Sequence, residues 1–158
     1  MRCKRIGAGA SLAAGALAAT GLAFAPAALA VTPQTATIDA DCGTFGSGTA
    51  TLTATQDGTA ATVTVKSSAI TAPIALGADS ISSTLTLVKA GGGTVTFTGK
   101  ENPAMAAGAP VEVGPLNGTV ASGDSLEAFG GSLKMTVFGI TITCTAAGPQ
   151  SPGPFVFD

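Results

Sequence analysis

The chain has 158 residues, 46% of them hydrophobic and only 10% charged, and its formal net charge at pH 7 is −2. It contains no histidine, tryptophan or tyrosine, and no arginine follows Ala30. Four lysines and nine acidic residues follow Ala30, so this part of the chain has a formal charge of −5. An acidic, arginine-free polypeptide lacks the basic surface that binding to nucleic acid or anionic lipid requires. The composition therefore excludes nucleic acid and anionic lipid as partners. The chain also lacks histidine, the commonest general acid–base residue of enzymes.

The first 30 residues have the pattern of a secretory signal peptide. Basic residues at positions 2, 4 and 5 precede an apolar run over 6–24, and Ala28-Leu29-Ala30 provides the small residues of a cleavage site. The alternative is an uncleaved transmembrane anchor, because the run approaches the length of a bilayer span. Pro26 and the Ala-x-Ala end favour cleavage. We expect a protein released from the cell or held at the cell wall by non-covalent contacts, with no membrane insertion after cleavage.

Residues 31–158 have a length that suits one domain with a real core, ending in an extended tail over 148–158. The first predicted strand covers 35–42, where Ile38 and Cys42 share one face while Asp39 and Asp41 point to the other. Two carboxylates on one face could join a third around calcium, but no calcium-loop motif accompanies them. We interpret them as solvated edge charges and predict no metal site and no cofactor.

The clearest unit is the segment 49–66, in which apolar residues alternate with threonine. Asp57-Gly58 is typical of a two-residue type I′ turn, whose central positions both need positive φ. This turn predicts that six apolar residues share the core side, as the pairs Ala50–Val65, Leu52–Val63 and Ala54–Ala61. It predicts that four threonines are paired on the other side, as Thr51–Thr64 and Thr53–Thr62.

Further strands are predicted over 80–89, 93–99, 111–114, 117–121 and 124–129, with a long final strand over 132–145. Gly91-Gly92-Gly93 predicts a turn, 100–110 a surface loop, and Asn117-Gly118 a second hairpin turn. The final strand contains apolar residues of both parities. A bulge or sheet switch at Phe138-Gly139 would bring them to one face.

Two cysteines remain after the leader, Cys42 and Cys144. Outside the cytoplasm two cysteines near opposite ends of one domain most simply pair. A metal pair or a redox pair would need a histidine, a third ligand or a Cys-x-x-Cys motif, and the sequence has none of these. We therefore predict a disulfide between the first and last strands.

No motif in the chain predicts catalysis. The segment Gly93–Lys100 is similar to a phosphate-binding loop, but its spacing is one residue too long and Glu101 stands where Ser or Thr must bind magnesium. Gly46-Ser47-Gly48 departs from the nucleophile-elbow pattern, and no histidine exists to activate Ser47. We predict that the protein is not an enzyme.

The tail ends in Phe155-Val156-Phe157 after a Ser-Pro-Gly-Pro break. This apolar triplet either packs on its own domain as a short edge strand or is offered to a partner by β-augmentation. Short strands at regular spacing with glycine turns are typical of an antiparallel sandwich or barrel. We expect a single all-β antiparallel sandwich, for which an immunoglobulin-like arrangement is one option, tied by Cys42–Cys144.

Three stretches carry a resemblance: DCGTFGSGTATLTATQDG at 41–58, FGITITCT at 138–145 and QSPGPFVFD at 150–158. They resemble small secreted proteins of actinobacteria. More loosely, a cysteine in the first strand and another in the last resembles two-cysteine immunoglobulin-like domains of unknown function from the same bacteria. Either resemblance implies secretion and a β-sandwich, and neither implies an activity.

Two functions are consistent with these features. The first is a non-catalytic secreted or cell-envelope protein with a structural or weak binding role, because the secretion signal accompanies an empty catalytic inventory. The second is a ligand-binding module for a glycan or an ice-like surface, because flat Thr-x-Thr rows can order water or sugars. The candidate binding face of this second function consists of Thr51, Thr53, Thr62 and Thr64.

Overall fold

The computed structural model describes residues 31–158, and the predicted signal peptide over 1–30 lies outside the described residues. The described chain forms ten β-strands and one turn of 3-10 helix at Gly43–Phe45. Period-two alternation accounts for the strands, because it buries one face of each and leaves threonine on the other. The strands are β1 (Val31–Thr32), β2 (Thr35–Asp41), β3 (Ser47–Asp57), β4 (Ala60–Thr71), β5 (Ser82–Lys89), β6 (Thr94–Gly99), β7 (Pro110–Thr119), β8 (Ser125–Val137), β9 (Ile140–Ala146) and β10 (Phe155–Phe157).

Eight of these strands form a closed antiparallel β-barrel in the order β2-β3-β4-β7-β6-β5-β8-β9, and β9 pairs back onto β2. The predicted sandwich, including its immunoglobulin-like form, is therefore wrong. Sandwich and barrel have the same local pattern, since both bury one face of every strand. The pairs Ala40↔Ala146 and Asp41↔Thr145 decide between them, because they join the strands that would be free edges in a sandwich.

The strand order β8-β5-β6-β7 within the barrel is a Greek key, in which three consecutive strands are followed by one that returns beside the first. Its connections define two ends of the barrel. The open end carries the 3-10 helix, the loops 72–81 and 100–109 and the turn 138–139. The closed end carries the connections 58–59, 90–93 and 120–124, together with β1 and β10.

The β3–β4 hairpin is confirmed, but its register differs from the predicted one by two residues. Asp57 pairs with Ala60, so Gly58 and Thr59 are the central turn residues. Gly58 has a φ of 60° whereas Thr59 has no positive φ, as in a type II′ turn with glycine at its first central position. A shift of two preserves side-chain parity, so the predicted core residues remain buried.

The predicted final strand is instead a hairpin of β8 and β9. Val137 pairs with Ile140, and Phe138-Gly139 forms the turn with φ values of 50° and 77°. Positive φ at both central positions is the type I′ geometry. A two-residue turn and a bulge both switch which alternate residues face the core. The pattern of apolar residues alone could therefore not distinguish them. The prediction of a bulge or sheet switch is wrong.

Two predicted breaks between strands are absent from the structure. Asn117-Gly118 lies inside β7, where Asn117 pairs with Thr62 and Thr98, so the predicted turn there is wrong. β8 runs through the predicted break at 130–131 with a register shift against β5. Gly131 is required there, because a Cβ on it would meet the carbonyl oxygen of Thr86. The predicted turn at 91–93 and the predicted loop at 100–110 are confirmed in outline.

The C-terminal tail closes one end of the barrel. Phe155 and Phe157 of β10 are fully buried, and β10 lies between β1 and the start of β8. Gln56 on β3 binds the backbone of Asp158, with its Nε2 donating to the carbonyl oxygen and its Oε1 accepting from the amide. The terminal strand thus packs on its own domain, and its phenylalanines are not offered to a partner.

The predicted disulfide is present between Cys42 and Cys144, 102 residues apart. It lies beside the two residue pairs that join β2 to β9, so it reinforces the seam that closes the barrel. The seam continues into the tail, where Thr37 and Ser151 exchange two backbone hydrogen bonds of 2.7 and 2.9 Å. A disulfide of this kind is typical of an oxidising, extracellular environment. Within residues 31–158, no helix has the length and hydropathy of a membrane span.

Candidate functional site: an apolar groove at the open end

A groove of about 370 Å³ lies at the open end of the barrel. This volume is within the range of about 300–1,000 Å³ that small-molecule sites occupy. Its floor includes Cys42 of the disulfide, Ile70 at the end of β4 and Met135 near the end of β8. The groove is therefore built where the strands end, over the top of the barrel core.

The rim of the groove exposes large apolar side chains. Six large hydrophobic residues are exposed in the part of the chain that the structure describes, and four of them line the groove. Such a concentration is unusual, because exposed apolar residues are normally scattered and a contiguous patch marks an interaction site. The four, with their exposed fractions, are Phe45 (43%), Ile74 (52%), Phe138 (71%) and Ile140 (56%).

Phe45 is held by the 3-10 helix that follows β2. The Asp41 carboxylate accepts a 2.8 Å hydrogen bond from the Gly43 amide, and the Gly46 amide donates to the Gly43 carbonyl at 3.1 Å. The glycines have φ values of 62° and 112°, which β-carbon-bearing residues rarely adopt. Asp41, a predicted edge charge, therefore caps the turn that presents an aromatic ring.

Ile74 lies in the loop 72–81, which Asn102 holds in place. The Asn102 side chain is buried; its Oδ1 accepts from the amides of Ser80 and Ile81 at 2.9 Å each, and its Nδ2 donates to the carbonyls of Gly77 and Pro103. All of its amide atoms are thus engaged, which fixes the loop firmly. Sequence reasoning missed Asn102, because nothing local distinguishes it from an ordinary loop asparagine.

Phe138 occupies an unfavourable backbone position. It is the first central residue of the β8–β9 turn, where Asn, Asp or Gly is usual. Its φ of 50° is left-handed, a conformation that costs a non-glycine residue about 1–2 kcal/mol. Strain combined with 71% exposure of an aromatic ring points to a contact that is made outside the protein's own fold.

The groove contains no ionisable side chain, since its only cysteine is in the disulfide. Its polar side chains are the hydroxyl groups of Thr44 and Thr71. No residue of the lining can serve as a general acid or base. The arrangement is suited to binding and not to proton transfer.

A second, smaller cavity of about 40 Å³ lies inside the barrel below the groove. The two spaces share four lining residues, Cys42, Ile70, Val111 and Met135. Ser67 is the one buried polar side chain around the inner cavity, and its hydroxyl already donates to the Thr49 carbonyl and accepts from the Ile70 amide. The inner space is therefore apolar and extends the groove toward the core.

The four predicted threonines lie elsewhere, on the outer wall of β3 and β4. Thr53 pairs with Thr64 and Thr51 with Lys66, so the predicted pairs are wrong by two residues. Thr62 pairs with Thr55, and their hydroxyl oxygens are 2.7 Å apart. The wall curves with the barrel, unlike the flat row that ordering of an ice-like surface requires.

The predicted edge carboxylates take part in local structure. The Asp39 carboxylate accepts a 3.3 Å hydrogen bond from the Thr49 hydroxyl. No group of three or more acidic or cysteine side chains suited to a metal ion occurs within residues 31–158. The two ion pairs of this range, Lys66–Glu112 at 3.0 Å and Lys89–Asp124 at 2.9 Å, are formed by residues outside the groove lining.

Comparison with known proteins finds no family model, curated protein or solved structure that matches this chain. The groove itself is therefore the basis for a functional proposal.

Proposed function

We propose that this protein is a non-catalytic binding protein of the cell exterior that holds a small apolar ligand in the open-end groove. The observation that carries the proposal is the convergence of Phe45, Ile74, Phe138 and Ile140 on one concave, uncharged site. A location outside the cytoplasm is supported by the signal-like leader and by the disulfide. Release from the cell and non-covalent retention at the cell wall are both compatible with it.

The test uses a neutral apolar fluorophore, N-phenyl-1-naphthylamine, titrated into the purified, oxidised protein. Its emission rises on entry into an apolar site, and the chain contributes no tryptophan or tyrosine background. We expect saturable binding of one probe per chain. Phe138→Ala and Ile140→Ser should each weaken it about five- to thirtyfold, since each removes roughly 1–2 kcal/mol of buried apolar contact.

Matched controls exist on the same molecule. Phe129 and Val156 are exposed to 47% and 43%, and neither lines the groove. Phe129→Ala and Val156→Ser should leave the affinity unchanged. Equal effects of the groove and control substitutions, or no saturable binding at all, would overturn the proposal.

A second candidate is contact of the threonine wall with envelope polysaccharide. It is favoured by the alignment of Thr35, Thr53 and Thr64 across β2, β3 and β4, which places three hydroxyls in one row. Co-sedimentation with insoluble polysaccharide tests it, with the double variant Thr53→Val/Thr64→Val as the discriminating protein. Retention that survives this double substitution would dismiss the threonine wall.

A further inference from the structure

We infer that the ligand is a neutral, unbranched aliphatic chain whose end passes Met135 into the cavity inside the barrel. This inference rests on the proposed function, and it names the chemical class that the groove takes. The groove of about 370 Å³ and the inner cavity of about 40 Å³ are neighbouring spaces, because four side chains line both.

The inner cavity exists because the barrel interior is underfilled. An eight-stranded barrel has an interior that side chains just fill, or that holds one small ligand. Here four residues of the cavity lining are alanines, of which Ala40, Ala50 and Ala128 are buried and Ala146 is partly buried. The space of about 40 Å³ exceeds the ~10–15 Å³ that one water molecule needs, yet apolar cavities of this kind stay dry. It offers room for the end of a hydrocarbon chain but not for a ring or a polar head group.

Met135 is the side chain that can open the passage. Of the four residues shared by both spaces, Cys42 is held by the disulfide, while Ile70 and Val111 are β-branched and stiff at χ1. Methionine is unbranched, has three rotatable side-chain bonds and adapts to irregular apolar spaces. Met135 is 5% exposed and lines both spaces, so its side chain lies between the groove and the inner cavity.

The chemistry of the two linings defines the ligand. Burial of a charge in the uncharged groove would leave the charge without a partner, which is strongly unfavourable, so the bound part is neutral. Passage beside one methionine admits a narrow chain and rejects a branched or cyclic one. The rings of Phe45 and Phe138 at the rim would cover the part of the aliphatic ligand that stays in the groove.

The experiment measures displacement of N-phenyl-1-naphthylamine by 1-alkanols of increasing chain length, from hexanol upward. Each methylene that becomes buried should tighten binding about fourfold, until the chain reaches the end of the inner cavity and the affinity stops rising. Cyclohexylmethanol and a branched isomer of the best linear alkanol should bind at least tenfold more weakly than that alkanol.

Two variants test the inner cavity and the passage separately. Ala50→Val should make the affinity stop rising about two carbon atoms earlier, because valine has two carbons more than alanine. Ala61→Val is its matched control, since Ala61 is a buried alanine that lines neither space. Met135→Ile should slow association of the longest alkanols about tenfold more than it slows association of hexanol, because only the longest chains must pass position 135 to enter the inner cavity. If Ala50→Val does not fold, the Met135→Ile kinetics decide.

The outcomes separate this inference from the function on which it rests. One outcome would overturn the inference and leave the groove as a binding site. In it, the probe binds saturably, but the affinity for alkanols does not depend on their length or branching and neither variant changes it. Failure of the probe and of every alkanol to bind would remove both.

Discussion

The two ends of the barrel differ in how their apolar side chains are covered. At the closed end β10 lies across the opening, and Phe155 and Phe157 are fully buried. Polar contacts surround β10, among them the Lys89–Asp124 ion pair and the Gln56–Asp158 hydrogen bonds. At the open end no strand from residues 31–158 crosses the barrel, and the ring of Phe138 is 71% exposed.

Among the described residues, exposed large apolar side chains are therefore concentrated at one end of the barrel. The same fold buries three aromatic rings completely, Phe97, Phe155 and Phe157, while it holds Phe138 outside in a strained turn. Asn or Gly in that turn would relieve the strain, so Phe138 does not stabilise the turn itself.

The largest effect is expected from Phe157→Ala at the closed end. Removal of a fully buried ring leaves a cavity, and such substitutions destabilise proteins by about 3–5 kcal/mol. Phe138→Ala at the open end should change the free energy of unfolding by less than about 0.5 kcal/mol. Urea denaturation measures both. Similar losses from the two substitutions would show that the two ends are not different in kind.

Removal of the disulfide should have the next largest effect. The double variant Cys42→Ser/Cys144→Ser should lose about 2–5 kcal/mol, because the bond restricts a long loop of the unfolded chain. Amide hydrogen exchange should accelerate most in β2 and β9, which share only two residue pairs in the ladder beside the bond. Uniform acceleration in all strands would contradict a role centred on this seam.

Phe138→Asn should stabilise the fold while weakening probe binding. Asparagine tolerates left-handed φ better than phenylalanine, so relief of the turn should add about 0.5–1 kcal/mol to the free energy of unfolding. The lost ring should weaken binding of N-phenyl-1-naphthylamine as Phe138→Ala does. Thermal denaturation and probe titration on one preparation check both effects. A variant that is less stable would refute the assignment of strain to this residue.

The smallest effect concerns the ion pair at the closed end. A hydrogen bond from the Ala121 amide and one from the Lys89 ammonium lower the pKa of Asp124 below its ordinary value of 3.8. A lowered pKa stabilises the fold above the ordinary value, and this stabilisation is lost as the pH falls through the folded-state value. Asp124→Asn should therefore cost less than about 1 kcal/mol at pH 7 and nothing in strong acid. A stability difference from the parent protein that does not change with pH would exclude this mechanism.

The local pattern was informative wherever burial follows from period two. It predicted the buried set Leu52, Ala54 and Val63 although the β3–β4 register was wrong by two residues, because a shift of two leaves parity unchanged. It failed at Phe138-Gly139, since a bulge and a two-residue hairpin alter parity alike. The groove could not be predicted for the same reason, because it is the β8–β9 hairpin that places Phe138 at the open end.

The groove residues could not be found from the sequence. Phe45, Ile74 and Phe138 lie in three connections that are remote in the chain, and nothing local marks them as neighbours. Asn102, which fixes the loop carrying Ile74, gives no local signal either. The threonines were conspicuous in the sequence because they repeat, yet repetition on a strand shows only which side faces solvent.

Local sequence patterns were sufficient to predict that residues 31–158 form an all-β fold, which side chains of β3 and β4 point inward, and that Cys42 pairs with Cys144. The strands and their inward faces follow from the alternation of apolar and polar residues, which is a local pattern. The disulfide follows from the number of cysteines, because two cysteines allow only one pairing. The three-dimensional structure was needed to show that β9 pairs with β2 to close a barrel, and that the tail covers one end while no strand of residues 31–158 covers the other. Pairing of strand edges and coverage of barrel ends join residues about a hundred positions apart, and local periodicity carries no information over that distance.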